Sequence, residues 1–535
     1  MRRAAEEHVS EIVIGDGPLG IEAAVAVARN GGRVRLADAA CARIAAAHEV
    51  IDRVIREKRV AYGVTTGFGQ LATTHIPVDQ ARQLQKNLVR SHAVGVGEPL
   101  RRDVVRAAMT IRVNTLAKGH SGVRQKVVDL LVGMLNHDLV PYIPSRGSLG
   151  ASGDLAPSAH LVLAMMGEGE LLTAGGQKEP AAPALAGAGL TPFEPQPKEG
   201  LSLINGTQFM AAIGCLAVVD GENVLDSADL IGAMSIEGLR ASVGPFQERI
   251  QRLRPIPGQE HTAHTVRLAT AGSEIMLSHL NCDKVQDAYS TRCIPQVHGA
   301  CRDAFRWLRE VISVEVDAVT DNPIVFPDVG EIVSAGNFHG EPLALALDLA
   351  AISMAEIGSM SERRTFRMLS PFLSELPPYL TTTPGLSNGY MLAQYTAAAL
   401  VAESKILAHP ASVDSIPTSG DQEDHVSMGM TAALKLDPVM RNTQTILGIE
   451  ALCAAQAIDL LAPLTPGIGT QRGYEIVRRL APRLDGDRYL APELDRAFHA
   501  VQRGQFAAVV RELLADPQAG ATGSAAAAGI GGSPL

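Results

Sequence analysis

The stretch Leu343 to Leu369, LALALDLAAISMAEIGSMSERRTFRML, sets the class of fold. Its apolar side chains recur at helical spacing among strong helix formers, so it predicts one helix of more than twenty residues. The richest part, Leu343 to Met354, is broken by Asp348 and reads as a buried helix. Nowhere does the chain approach the ~18 uninterrupted apolar residues of a membrane span, so no membrane partner is expected. Asn388 to Leu407 reads the same way, and the pair favours a long helical bundle. Asp79 to Val94, with Leu84, Leu88 and Val89 on one side, predicts a further helix. So do Arg101 to Leu116, Gly122 to Leu139, Gln208 to Asp226 and Cys301 to Val316. Strand signals are short and few: Arg33 to Leu36 and Asn322 to Phe326.

The chain has 535 residues, 46% of them hydrophobic, enough to bury a large core. Gly167 to Gly200 is rich in Gly, Pro and Ala and reads as loops between two helical blocks. The expected organisation is an N-terminal part over 1–200 and a long-helix part over 201–515. Residues 516–535, with the run QAGATGSAAAAGIGGSPL from Gln518, predict a disordered low-complexity tail. With 47 Lys+Arg against 57 Asp+Glu the net charge is −10, and no basic block exceeds pairs such as Arg363-Arg364. That balance argues against nucleic acid as a partner. The six cysteines form no C-x-x-C pair and read as free thiols in a reducing cytoplasm. Met1 to Ser10 lacks the apolar core of a signal peptide.

Glu11 to Gly20, EIVIGDGPLG, imitates a dinucleotide fingerprint: Gly15-x-Gly17-x-x-Gly20 after a short apolar run, with Asp38 near the acidic position. That motif needs a parallel βαβ unit and further strands, whereas long helices follow. A simpler reading puts Pro18 at the start of a helix capped by Asp16. His261-x-x-His264 has no evident third ligand, so no metal is expected.

The chemistry lies in Gly147 to His160, GSLGASGDLAPSAH. Gly153 has no Cβ, so its amide nitrogen can swing toward the Ala151 carbonyl in a tight turn. Ring closure there, with loss of water from the ring and from Ser152, would leave a methylidene-imidazolone electrophile. Alone, the segment also reads as a Gly/Ser turn leading into a helix capped by Asp154.

Further blocks accompany it: Tyr62 to Gly69 (YGVTTGFG), Ser91 to Gly97 (SHAVGVG), Leu203 to Gln208 (LINGTQ), Gln286 to Cys293 (QDAYSTRC), Gly336 to His339 (GNFH) and Gln422 to His425 (QEDH). In this order, from about residue 10 to about 510, they resemble the aromatic amino acid ammonia-lyases, the family of histidine, tyrosine and phenylalanine lyases and related aminomutases. The resemblance implies a mainly α fold of ammonia-lyase/fumarase-like architecture. Long central helices form the bundle, and a smaller N-terminal domain carries the electrophile. It implies a 4-methylidene-imidazol-5-one (MIO) cofactor made from Ala151, Ser152 and Gly153, and a homotetramer whose active sites draw on three subunits.

Residue by residue, the resemblance makes Tyr62, in a glycine-rich loop, the base that removes the β-proton. Tyr289 and Asn205 would hydrogen-bond near the electrophile, Tyr289 with a part in ring formation or leaving-group protonation. Arg292 would grip the substrate carboxylate. Phe338 would pack over the electrophile, with His339 as structural support, and Gln286 would be a polar contact on the substrate side. Gln286, Tyr289 and Arg292 recur every three residues, which predicts neighbouring turns of one helix, limited by Pro295.

Two positions bear on the substrate. His92 matches the histidine and tyrosine lyases, and a polar side chain suits an imidazole or a phenol. Glu423 matches the histidine lyases, and a carboxylate can hydrogen-bond or pair with an imidazole. The run His409 to Gly420 points the same way. The expected reaction is elimination of ammonia from L-histidine to give trans-urocanate. Gly420-Asp421 and Arg90-Ser91 are shared with tyrosine-type members, so tyrosine or phenylalanine lyase and tyrosine aminomutase chemistry stay open. A degenerate helical scaffold without activity is the non-enzymatic alternative.

Overall fold

Leu343 to Leu369 lies within a 29-residue helix, Glu341–Leu369, in a computed structural model that describes residues 11–516 apart from 72, 281 and 283. The low-complexity run from Gln518 lies outside the described residues. The described chain is mainly α-helical, with four separate two-stranded sheets. The other predicted helices are present as Ala81–His92, Arg102–Ala117, Gln125–Asn136, Gln208–Gly238, Ile294–Val316 and Met391–Leu407. Gln208–Gly238 and Glu341–Leu369 are long and apolar enough to cross a membrane, but their most apolar windows are 78% and 61% buried inside the protein. Asp348, which interrupts the apolar run, is buried and accepts the Ser412 amide at 2.7 Å.

The described chain divides into two compact units. One contains residues up to Ala217 with Leu308–Asp348 and Pro410–Leu434; the other contains Val218–Trp307, Leu349–His409 and residues from Lys435 on. A single break near residue 200 does not describe this division. Four of the five junctions fall inside helices, the fourth long one being Gly429–Leu460. A helix that runs from one core into another keeps its periodicity, so composition does not mark the crossing. Gly167 to Gly200 is not only loop: Glu170–Leu172 pairs antiparallel with Lys178–Pro180, and the helix Ala181–Gly187 follows. Strands of three residues are too short to show a period.

In the first unit, Ala47, Val50, Ile51 and Val54 form one face of the helix Asp38–Arg56 and pack with Val64 and Val325. Glu11–Ile14 and Arg33–Leu36 pair in parallel around the helix Gly20–Asn30. The βαβ unit of the dinucleotide motif therefore forms, but among the described residues its sheet has two strands. Leu19, not Asp16, is the N-cap. The Asp317 carboxylate accepts the amides of Leu19 at 3.0 Å and Gly20 at 3.3 Å. The donors a phosphate would use at this helix start are satisfied by the chain's own anion.

Candidate active site

Gly147 to Asp154 joins the short strand Pro144–Arg146 to the helix Leu155–Met165. Gly153 has φ +76°, and a Cβ at this position would overlap the Gly206 carbonyl, so only glycine fits. The Gly206 amide donates to the Ser152 carbonyl at 3.3 Å, and the Asp154 amide donates to the Gly206 carbonyl at 2.7 Å. The backbone is thus pinned on both sides of Gly153. Asp154 stands at the N-cap position of Leu155–Met165, but its side chain does not cap that helix. It accepts the Phe209 and Met210 amides, both at 2.9 Å, in the first turn of Gln208–Gly238. An anion is favoured at such a terminus. Burial nevertheless pushes the Asp154 carboxyl up to about 6.

The Ser152 hydroxyl lies 2.9 Å from Glu423 Oε1. Glu423 Oε2 accepts the Thr418 hydroxyl at 2.7 Å, and the backbones of Thr418 and Glu423 pair as an antiparallel bridge. The turn between them carries three positive φ angles, at Ser419, Gly420 and Asp421. A cavity of about 440 Å³ opens on these residues and is lined by Tyr62, His92, Ser152, Asn205 and Glu423 among others. Its size suits a small metabolite.

Each of these side chains is held. The Gly69 amide donates to Tyr62 Oη at 3.1 Å, and Phe68 meets the Tyr62 ring edge-on at 6.4 Å. His92 closes the helix Ala81–His92, with Nδ1 2.8 Å from the Leu88 carbonyl. That acceptor assigns the proton to Nδ1 and leaves Nε2 as an acceptor. Burial lowers the His92 pKa, favouring the neutral ring. Asn205 donates its amide to the Asn322 carbonyl at 2.8 Å. The backbone carbonyl of Asn205 accepts from the buried Arg112, which also reaches the Ser202 carbonyl and the Ser158 hydroxyl. Phe338 is half-buried in the turn before Glu341–Leu369, and the Gly340 amide ties that turn to the Gly150 carbonyl at 3.2 Å. His339 Nε2 faces the His425 carbonyl at 3.1 Å.

Gln286, Tyr289 and Arg292 belong to the second unit. The helix here is only Tyr289–Arg292, and Gln286 lies in the exposed segment before it. The three therefore do not share a helical face. Pro295 does not end this helix but sits in the first turn of the next, Ile294–Val316, where a missing N–H costs nothing. The Arg292 guanidinium lies over the Tyr289 ring at 4.5 Å. Beneath them the buried Arg364 donates to the Ser290 carbonyl at 3.3 Å and to Glu450 Oε2 at 2.9 Å. Arg364 Nη1 also lies 3.4 Å from His298 Nε2, and His298 Nδ1 lies 2.8 Å from Asp229.

Residues 19–479 match the model of the aromatic amino acid lyase family. The chain belongs to the aromatic amino acid lyase family. It is 50% identical over 505 residues to the histidine ammonia-lyase of Deinococcus radiodurans, covering 94% of this chain and 96% of that protein. Among solved structures it resembles a histidine ammonia-lyase from Trypanosoma cruzi, with TM-score 0.88 and 40% identity, covering 98% of this chain and 99% of that one. It also resembles a tyrosine aminomutase from Streptomyces globisporus, with TM-score 0.88 and 36% identity over 94% and 98% of the two chains.

For this aromatic amino acid lyase, sequence reasoning overlooked the residues that hold the others. Thr418 fixes Glu423, Gly206 pins the Ser152–Asp154 backbone, and Arg112 supports Asn205.

Proposed function

We propose that this lyase eliminates ammonia from L-histidine to give trans-urocanate, using a 4-methylidene-imidazol-5-one group made from Ala151, Ser152 and Gly153. Glu423 carries the choice of substrate. Its carboxylate lines the same cavity as His92. It can accept from an imidazole N–H or pair with an imidazolium, and it offers a phenyl ring nothing.

The loop fits the group. Gly153 occupies a cradle that admits no side chain, and the Gly150 amide is held by Ser148 Oγ at 3.2 Å. Once formed, the group supplies an electrophile that takes up the substrate amine and lets ammonia leave. Tyr62 removes the β-proton, its oxygen held toward the cavity by the Gly69 amide. Neutral His92 offers Nε2 to the substrate ring. Asn205 orients polar groups near the electrophile, and Phe338 packs beside it. Arg292 grips the carboxylate as a two-pronged donor, Gln286 is a polar contact on the substrate side, and Tyr289 hydrogen-bonds near the electrophile, with a part in ring formation or leaving-group protonation. We infer a homotetramer in which copies share these residues, consistent with Tyr289 being 69% exposed in the single chain.

Tyrosine chemistry is the second reading, favoured by Gly420-Asp421 and Arg90-Ser91. The Arg90 guanidinium is forked onto Glu168 through Nε and Nη2, each at 2.8 Å, which engages it away from a substrate. Purified protein incubated separately with L-histidine, L-tyrosine and L-phenylalanine tests the proposal. Urocanate from histidine is expected. A cinnamate-type product or a β-amino acid, without urocanate, would replace histidine with another substrate.

A further inference from the structure

We propose that Glu423 also matures its own active site, by holding the Ser152 hydroxyl and supplying the proton with which it departs. The proposal rests on the reading that Ala151 to Gly153 become the ring.

The geometry is that of the unreacted chain. Ser152 Oγ lies 2.9 Å from Glu423 Oε1 across 271 residues of sequence. The other carboxylate oxygen is fixed by Thr418 at 2.7 Å, and the Thr418–Glu423 backbone bridge fixes the stem of the side chain. A carboxylate restrained at both its second oxygen and its backbone presents Oε1 to Oγ in one orientation.

Ring formation moves atoms without moving electrons in or out. The Gly153 nitrogen bonds to the Ala151 carbonyl carbon. The carbonyl oxygen leaves as water with the hydrogens of the Gly153 and Ser152 amides. Ser152 then loses its Cα hydrogen and its Cβ–O bond, and the hydroxyl leaves as the second water. Hydroxide is a poor leaving group, so a proton must reach Oγ as the bond breaks. Glu423 is within hydrogen-bond reach of that oxygen. Its carboxylate, which accepts from the Ser152 hydroxyl, takes the proton released from Cα and passes it to Oγ as the Cβ–O bond breaks, so it ends as the carboxylate it began as. Loss of Oγ then deprives Oε1 of its partner, in a cavity also lined by His92. The carboxylate that served the serine becomes free for an imidazole. Thr418 is a positioning residue for both tasks.

The test follows full-length chain freshly made by cell-free synthesis, with intact mass read over time and circular dichroism reporting folding. Wild type should become lighter by two waters, and Ser152→Ala, which has no hydroxyl to lose, should not. Glu423→Gln and Glu423→Ala should slow the loss by ~10²-fold or more, within the usual range for general acid–base help. Thr418→Val and Glu423→Asp, which keep the carboxylate, should mature at intermediate rates. They carry the decision if the stronger variants do not fold. Folded Glu423 and Thr418 variants that lose both waters at the wild-type rate would overturn the proposal. Wild type that keeps both waters would overturn the ring reading itself, and this proposal with it.

Discussion

Gly153 shows how narrowly one residue is specified. Its φ of +76° disfavours any side chain, and a Cβ would run into the Gly206 carbonyl. Gly153→Ala should therefore lower stability by roughly 2–4 kcal/mol, from left-handed backbone strain plus overpacking. It should also leave no detectable lyase activity. Chemical denaturation and the histidine assay check both, and unchanged values would mean that the cradle relaxes. Arg292→Lys should raise KM ~10-fold or more while kcat moves little, because an ammonium cannot fork onto a carboxylate. An unchanged KM would remove Arg292 from the carboxylate site. At this scale the sequence singled out residues that share a cavity and was silent about the residues that hold them. Tyr62, His92, Ser152, Asn205 and Glu423 were all legible, and all line one cavity. Arg112 and Arg364 were not, since a charged residue in a helix is ordinarily solvated. Both are fully buried, with hydrogen-bond partners distant in sequence.

Among elements, the four-residue helix Tyr289–Arg292 is too short to be stable alone. Its support is the buried Arg364, which bridges the Ser290 carbonyl and Glu450. Arg364→Met should cost ~3–5 kcal/mol by stranding the Glu450 charge, and Arg364→Met with Glu450→Met should recover most of that. KM should stay raised in both, because Ser290 has lost its donor. A double variant with wild-type KM would separate this network from the substrate site. His298 adds a pH signature. Burial, together with the donor of Arg364 facing Nε2, holds its pKa below the ordinary 6.5. The unfolded chain then binds more protons than the folded one below that pH. The contribution of the neutral ring is fully present above pH 6.5 and is lost as pH falls below it. Stability profiles of wild type and His298→Gln should diverge below pH 6.5 and run parallel above it; parallel curves throughout would show that the ring does not titrate in this way. The periodic signal found the long helices Gln208–Gly238, Ile294–Val316 and Glu341–Leu369 but not Gly429–Leu460 or Asp38–Arg56. It misjudged Gln286 because a spacing of three fits a helix and an extended approach to one equally.

At the scale of the whole molecule, the residues assigned to one reaction are split between two compact units: Ser152 and Glu423 in the first, Arg292 in the second. If copies share active sites, coexpressed Ser152→Ala and Arg292→Ala chains should form mixed assemblies with activity that neither has alone. Absence of complementation in confirmed mixed tetramers would mean that each chain completes its own site. The division was not legible from composition, because the chain passes between units inside continuous helices.

That discontinuity also sets a clock. The unit that holds the Ala151-Ser152-Gly153 loop is unfinished until segments 308–348 and 410–434 have been made. Glu423 is translated 271 residues after Ser152. With Glu423 acting as inferred, a stalled or truncated nascent chain keeps an ordinary serine. The reactive alkene arises only in a polypeptide long enough to enclose it, so incomplete products released from the ribosome would not carry an unguarded electrophile into the cell.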